Sequence, residues 1–405
     1  MTSAVADEAI RPKRDEFVWT GWRGPERDGL VPWLPAAFPD QPKIEWTLPL
    51  TGDGLAGVAA TLELVIVADR DFLDTHDVWR CLDAALGLEL WTVTYRAEGQ
   101  LDYGNSPRAT PLIHGDFVYL QGAFGHLLCV ELASGEIVWQ RDLLADFDAE
   151  LPIWGLCGSP LIAGGNLIVN PGGPQAFLAA LDPATGETRW TTPGRTAAYA
   201  SFIEADLGGR RQLVGYDKVS LGGWDVETGR RLWELKPAIP GDFNVPTPVV
   251  VEKQLLVTTE NNGTRLYGFN DDGTIVPQPK ARYERLAADS STAVVIDGRV
   301  FGVWNDLHCL SAENDLEPLW RSRDRVFRDY ASLIAAPGRV LVTTTSGELI
   351  LVDSTSADYN VVGRMPVIAD DSEVHAHPAL AGTRLYVRSA SSILCVNLGD
   401  ADPLP

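Results

Sequence analysis

From about residue 57 onward the chain is written in pairs of short apolar runs folded around a polar turn. "TPLIHGDFVYLQG", "SPLIAGGNLIVNP", "TPVVVEKQLLVTT", "AVVIDGRVFGVWN", "SLIAAPGRVLVTT" and "HPALAGTRLYVRS" all have this form. β-branched residues flank a Gly, Asp or similar turn residue, which is a hairpin signal. No segment shows a sustained helical period. A second phrase follows most hairpins: "WRCLDAALGLELW", "LLCVELASGEIVW", "LAALDPATGETRW" and "LGGWDVETGRRLW". It supplies a third apolar run, a Gly-containing turn and a fourth run that ends in Trp.

The tryptophans act as a ruler. Trp46, Trp91, Trp139, Trp190 and Trp233 stand 45, 48, 51 and 43 residues apart, and Trp320 follows after 87, about two periods. Between the last two, "FNDDGTIVP" keeps the Gly and puts Pro277 where Trp is due. A period of roughly 40–50 residues built from β-type segments means a propeller or an array. One period is then four antiparallel strands, one blade.

Eight hairpins predict eight blades, near 57–91, 106–139, 158–190, 199–233, 244–277, 288–320, 329–361 and 374–398. The last lacks a fourth strand, while "KIEWTLP" around Trp46 has no hairpin before it. An open edge invites aggregation, so residues 43–48 are expected to complete the last blade and close the ring. The expectation is an all-β, eight-bladed propeller at 43–398, with an N-terminal extension at 1–42 and a tail at 399–405.

Cys81, Cys129, Cys309 and Cys395 fall in one column of the third strand, where other blades have Ala180, Gly223 and Gly268. The column asks for a small residue, and a buried free Cys behaves as a small hydrophobe. With Cys157, the five cysteines include no CxxC and no adjacent pair, so they give no zinc or disulfide framework.

Charge narrows the partners. The formal net charge is -22 over 405 residues, which opposes phosphate backbones and anionic membrane surfaces. No window approaches the roughly 20 apolar residues of a membrane-spanning helix. Residues 1–16 hold neither an apolar leader core nor a lipid-attachment Cys. The chain as written therefore reads as cytoplasmic, or as periplasmic where a leader has been removed, and as a monomer.

"LDPATGETRW", with "WDVETGRRLW" and "VELASGEIVW", resembles the PQQ-like β-propeller repeat, and the likeness covers residues 44–398. "WRGPERDG", Trp22 to Gly29, is similar to a lead-in of bacterial PQQ-like repeat proteins. Two branches share the repeat: quinoprotein dehydrogenases, and non-enzymatic eight-bladed proteins similar to the assembly lipoprotein BamB. The resemblance implies that Trp46, Trp91, Trp139, Trp190, Trp233 and Trp320 dock neighbouring blades. It also implies that a dehydrogenase would hold its quinone beneath an adjacent-Cys disulfide beside Ca²⁺. This chain has no Cys-Cys and its blades are compact, so no cofactor is expected and PQQ least of all.

Candidate chemistry sits where a propeller normally keeps it, on the loops that lead into the channel-lining first strands. Those loops carry Tyr103, Asn105, Arg108, Trp154, Tyr199, Asn244, Asp289, Asp329, Tyr330, His375 and His377. His375 and His377 are two apart, so on extended chain they face one side. With Asp329 or Asp289 they would offer a divalent-metal set, although lone histidines are ordinarily hydrogen-bonding residues and no metal site is assigned. His76, His114, His126 and His308 show no ligand spacing. "GDGLAG" at 52–57 precedes no helix and reads as the turn into the first blade. Two insertions stand out. Asp69–Arg80 lengthens the first blade. Arg141–Trp154, with Asp142, Asp146, Asp148 and Glu150, reads as a solvated loop or a short acidic helix offered to a partner.

Fold alone does not assign function. The leading reading is a non-catalytic scaffold that binds another protein. The alternative is an enzyme or small-ligand receptor using the channel mouth. A deep pocket there favours the second; a shallow mouth with an apolar patch elsewhere favours the first.

Overall fold

A computed structural model describes residues 13–399. Eight four-stranded antiparallel sheets follow one another around a ring. Blades 1 to 7 span residues 59–96, 112–142, 161–192, 203–235, 249–283, 294–321 and 331–366. Blade 8 takes three strands from 379–397 and its outer strand from Lys43–Pro49. That strand pairs antiparallel with Ser392–Asn397, setting Trp46 opposite Cys395 and Pro49 opposite Ser392. Glu45 fastens the closure, accepting from Arg384 Nε at 2.6 Å and Asn397 Nδ2 at 2.7 Å.

The inner strands are buried on both faces, as in Leu349–Val352, because each blade is sandwiched between two others. The outer strands alternate, as in Glu89–Arg96, where Trp91 and Val93 point inward. The apolar clusters straddle neighbouring blades. One joins Ile66, Trp79 and Cys81 to Val118, Leu128 and Val130; the next joins Tyr119 and Cys129 to Leu167 and Ala179.

The recurrent Trp and the recurrent Gly explain each other. The rings of Trp46, Trp91, Trp139 and Trp190 lie on Gly87, Gly135, Gly186 and Gly229 of the following blade. A Cβ on any of these glycines would come within 2.4 to 2.7 Å of the ring. All four have left-handed φ, a conformation that only Gly adopts freely. Indole N–H groups of Trp46, Trp91, Trp139 and Trp320 donate to carbonyls of Ala84, Leu132, Pro183 and Ser356 in the next blade, at 3.1, 2.9, 3.0 and 3.3 Å.

The small column lies opposite these rings: Cys81, Cys129, Ala180, Gly223, Cys309 and Cys395 pair with Trp91, Trp139, Trp190, Trp233, Trp320 and Trp46. A Cβ on Gly223 would stand 2.2 Å from Trp233 Nε1 and 2.3 Å from Gln212 Oε1. Blade 5 departs from the expectation. Its row runs Val249, Leu256, Leu266, Ala281, so Leu266 and not Gly268 holds the column position. The chain makes a small excursion, with Phe269 bridged to Ile275, and the fourth strand re-forms at Ala281–Tyr283. Pro277 has no amide hydrogen to give a ladder and lies outside that strand. A Cβ on Gly268 would meet nothing within 4 Å, so no packing demands a small residue there.

The lead-in fills the channel. Near its start Phe17 O accepts from Gly382 N, and on its way out Trp33 Nε1 donates to Gly382 O. Between these points the segment climbs and returns. Trp19 bridges Ala60 of blade 1, Thr20 O accepts from Ile113 N of blade 2, and Leu30 bridges Ala335 of blade 7. At the apex Arg23 donates to the Thr292 and Ala293 carbonyls leading into blade 6, and Arg27 to those of Ser159 and Pro160 leading into blade 3. Trp19 and Arg23 are fully buried. Burial lowers both guanidinium pKa values.

Both insertions are modest. The first is a longer hairpin, extended to the pair Arg70–Asp77, with Phe72 and Leu73 exposed at its tip. Arg70 ties it down by contacts to Asp74, Asp77, Asn105 and Ala97. The second contains a single helical turn, Leu143–Asp146, capped by the Asp142 carboxylate.

Candidate functional site

The loops that lead into the first strands come together on one face, around a cavity of about 480 Å³. Each of the eight connections contributes: Leu55, Tyr103 with Arg108, Trp154 with Cys157, Tyr199 with Ser201, Phe243 with Val245, Asp289 with Ser290, Tyr330, and His375 with His377. Trp22 of the lead-in also lines it. The cavity is therefore a cup with a plugged base and not the mouth of an open pore.

One wall is aromatic. The Trp154 ring lies 4.5 Å from Tyr199, 4.9 Å from Phe243 and 5.9 Å from Tyr103. Tyr103 is 76% exposed and stands at the rim. Phe243 is half exposed, and its backbone N–H is held by the Glu260 carboxylate. Burial raises the Glu260 pKa, and Asp242 and Asp289 nearby push it the same way.

The rest of the wall is polar. Asp289 accepts from the Ser290 hydroxyl at 2.7 Å and forms no ion pair among the described residues. His375 Nε2 is 2.9 Å from Glu373 Oε2, and its ring stands 6.1 Å from Tyr330. Burial pushes the Tyr330 hydroxyl up to about 12. Arg108 also lines the cup, but its guanidinium is occupied: Nη1 reaches Ser106 O, and Nη2 reaches Asp102 O at 2.9 Å and Gly104 O at 2.8 Å.

His377 belongs to the base. Its ring stacks on Trp19 at 5.5 Å and meets the edge of Trp22 at 5.5 Å. Nδ1 lies 2.9 Å from Pro378 O. Burial, then the nearby Arg23 charge, lowers its pKa to about 3, so the imidazole is neutral.

Eight of the eleven residues proposed from sequence thus line one cavity. Three do not. Asn105 is buried behind the wall, donating to Asp74 Oδ2 and accepting from Leu101 N–H. Asn244, with left-handed φ, is turned into the body, where Nδ2 donates to Asp217 O. Asp329 is exposed and off the cup. The metal set weighed around His375 and His377 does not assemble: no three His, Cys, Asp or Glu among the described residues converge. Sequence reasoning missed Phe243, Leu55 and Trp22. Phe243 gave no signal, because Asn244 turns into the body through a left-handed φ and not through strand alternation.

Nor do these residues fit a quinone cofactor beside a divalent ion. There is no adjacent-Cys clamp, the cation of the wall is engaged with backbone carbonyls, and no ligand trio converges. Cys157 offers no ready nucleophile: burial pushes its thiol up to about 12, and its Sγ faces the Trp154 carbonyl at 3.4 Å.

The sequence matches the family described as outer membrane protein assembly factor BamB over residues 40–168, 74–314 and 177–403. The outer membrane protein assembly factor BamB of Burkholderia pseudomallei is 21% identical over 74% of this chain and 84% of its own length. A quinohemoprotein alcohol dehydrogenase of Pseudomonas putida, ADH IIB, is 26% identical over 29% of this chain and 18% of its own. The crystal structure of BamB from Moraxella catarrhalis superposes with a TM-score of 0.61 at 17% identity, covering 88% of this chain and 99% of that one. These overlapping matches span the whole ring, and the chain belongs to the PQQ-like β-propeller family that carries the BamB description.

Proposed function

We propose that the protein is a non-catalytic binding scaffold that holds a segment of a partner protein in the aromatic-walled cup. The observation that supports this is the cup itself: all eight connections line one open cavity, with half-exposed rings on its wall. Large rigid rings supply contact area at low entropic cost and dominate recognition hot spots. The cup offers no activated thiol, since burial pushes Cys157 up to about 12, and no metal-ligand trio converges among the described residues. By the criterion set from the sequence, a pocket here favours the small-ligand alternative, which would use the same residues; the exposed rim of Tyr103 and Phe243 favours a polypeptide. The BamB-named relatives favour a periplasmic setting at outer-membrane assembly.

A photo-crosslinking amino acid at Tyr103 tests the reading against one at Leu86, which is 63% exposed on a turn of blade 1 at the opposite face. In cells, Tyr103 is expected to give a discrete protein adduct that Trp154→Ala abolishes. Adducts from Leu86 alone would move the working surface to the other face.

A further inference from the structure

We infer that the cup receives a cationic side chain, a lysine or arginine presented by the partner segment. The inference rests on the cup being a recognition site, and adds what it recognises.

Three features converge on a cation. The first is the ring wall. Trp154, with Tyr199 and Phe243 within 5 Å of its centroid, offers π-faces carrying negative potential, which attract an ammonium or guanidinium placed over them. The second is the connection next to that of Phe243 around the ring. The Asp289 carboxylate faces the same cavity, meets only a hydroxyl, and forms no ion pair among the described residues. A cation between ring and carboxylate would satisfy both. The third is the surrounding field. The eight connections of this face hold fourteen carboxylates against seven Lys and Arg. The whole chain stands at -22, so a cationic segment is drawn toward this face.

The one guanidinium in the wall does not already serve this purpose. Arg108 is spread over three backbone carbonyls and forms no ion pair with Asp289 among the described residues. An anionic occupant would face Asp289 and the neighbouring Glu260 and Asp242. A neutral apolar occupant would suit the rings but strip water from Asp289 without replacing it, which costs free energy. A bare metal ion finds no trio of ligands.

The probe is a blocked tripeptide, acetyl-Gly-Arg-Gly-amide, against the same peptide with citrulline, which keeps the shape and removes the charge. Binding to the full chain is followed by calorimetry at low and moderate salt. The arginine peptide is expected to bind about tenfold more tightly than the citrulline peptide, since 1.4 kcal/mol of charge-dependent contact is tenfold. Asp289→Asn should remove most of that difference, and Phe243→Leu should weaken the arginine peptide while leaving the melting temperature near that of the unsubstituted protein. Equal binding of the two peptides would overturn the cation and leave the cup as a recognition site. Binding of neither, while the Tyr103 crosslink still forms, would overturn the cation alone. Loss of the crosslink would strike the cup reading itself.

Discussion

Trp139 and Trp154 are fifteen residues apart and do opposite work. Trp139 donates its indole N–H to Pro183 O of the next blade and covers Gly186, whose missing Cβ makes room for the ring. Trp154 touches the rings of Tyr103, Tyr199 and Phe243, all on loops of the open face. The first ring is consumed by the fold; the second is left for something else. The difference teaches how to sort the recurring tryptophans from the rest: a Trp facing a Gly across a blade boundary is architecture, and a Trp among the loops of the open face is a candidate for recognition.

The largest effect should come from removing what both classes depend on. Deleting residues 1–50 takes away the outer strand of blade 8 and the segment that fills the channel, leaving an open edge and the carbonyls of Ser159, Pro160, Thr292 and Ala293 without their arginines. The expected product is aggregated. Deleting residues 1–40 keeps the closing strand and should yield a ring that is soluble but melts earlier. Size-exclusion chromatography with thermal melting distinguishes them, and a stable monomer from the longer deletion would refute the closure argument.

Next comes the direct comparison. Trp139 is half-buried, so Trp139→Ala should cost about 2–3 kcal/mol, below the roughly 3–5 of a fully buried Trp. Trp154→Ala should cost about 1 kcal/mol, the scale of an aromatic pair. Denaturant unfolding measures both. A reversed order would dissolve the distinction between the two rings.

The docking rings were legible in the sequence because six of the eight blades solve the same problem with the same letters. A repeated solution becomes a period, and the period gave the ring, the blade count and the closing strand. Blade 5 was misread at Gly268 because the turn signal "NDDG" survives while the strand after it is displaced by an excursion ending beyond Pro277. The lead-in carried no period at all. Its place follows from Arg23 and Arg27 reaching carbonyls 269 and 132 or 133 residues away in the chain, contacts that leave no local pattern. The mouth was legible as a list of loops, but Asn105 and Asn244 could not be separated from Tyr103 and Phe243 without knowing which neighbour turns inward.

A smaller effect sharpens the architectural half. Gly223→Ala places a Cβ against Trp233 Nε1 and Gln212 Oε1, displacing their 2.6 Å hydrogen bond. Overpacking of this kind costs about 1–3 kcal/mol. Gly268→Ala meets nothing within 4 Å and its φ is not left-handed. It should be neutral, or stabilising by about 0.4–1 kcal/mol through a less flexible unfolded chain. If both substitutions cost the same, Gly268 would belong to the column after all.

The last effect, similar in size to that at Gly223, is drawn from the base of the cup, where fold and site share a residue. His377 lies between Trp19 and Trp22, and its pKa is lowered from 6.5 to about 3 by burial first and then by Arg23. The unfolded chain therefore takes up a proton near pH 6.5 that the folded protein refuses. Stability that is fully present above 6.5 is lost as pH falls toward 3, by roughly 1.4 kcal/mol per unit, or roughly 2 kcal/mol by pH 5. Asp77, whose buried carboxyl is raised to about 6, contributes with the opposite sign. It does so equally in the unsubstituted protein and in His377→Gln, so their difference isolates the imidazole. Urea unfolding of both proteins at pH 7 and pH 5 reads that difference. A His377→Gln protein that loses as much stability between the two pH values as the unsubstituted one would show that His377 accepts its proton while folded, which would put the imidazole in contact with solvent in the cup and move it from architecture to the site.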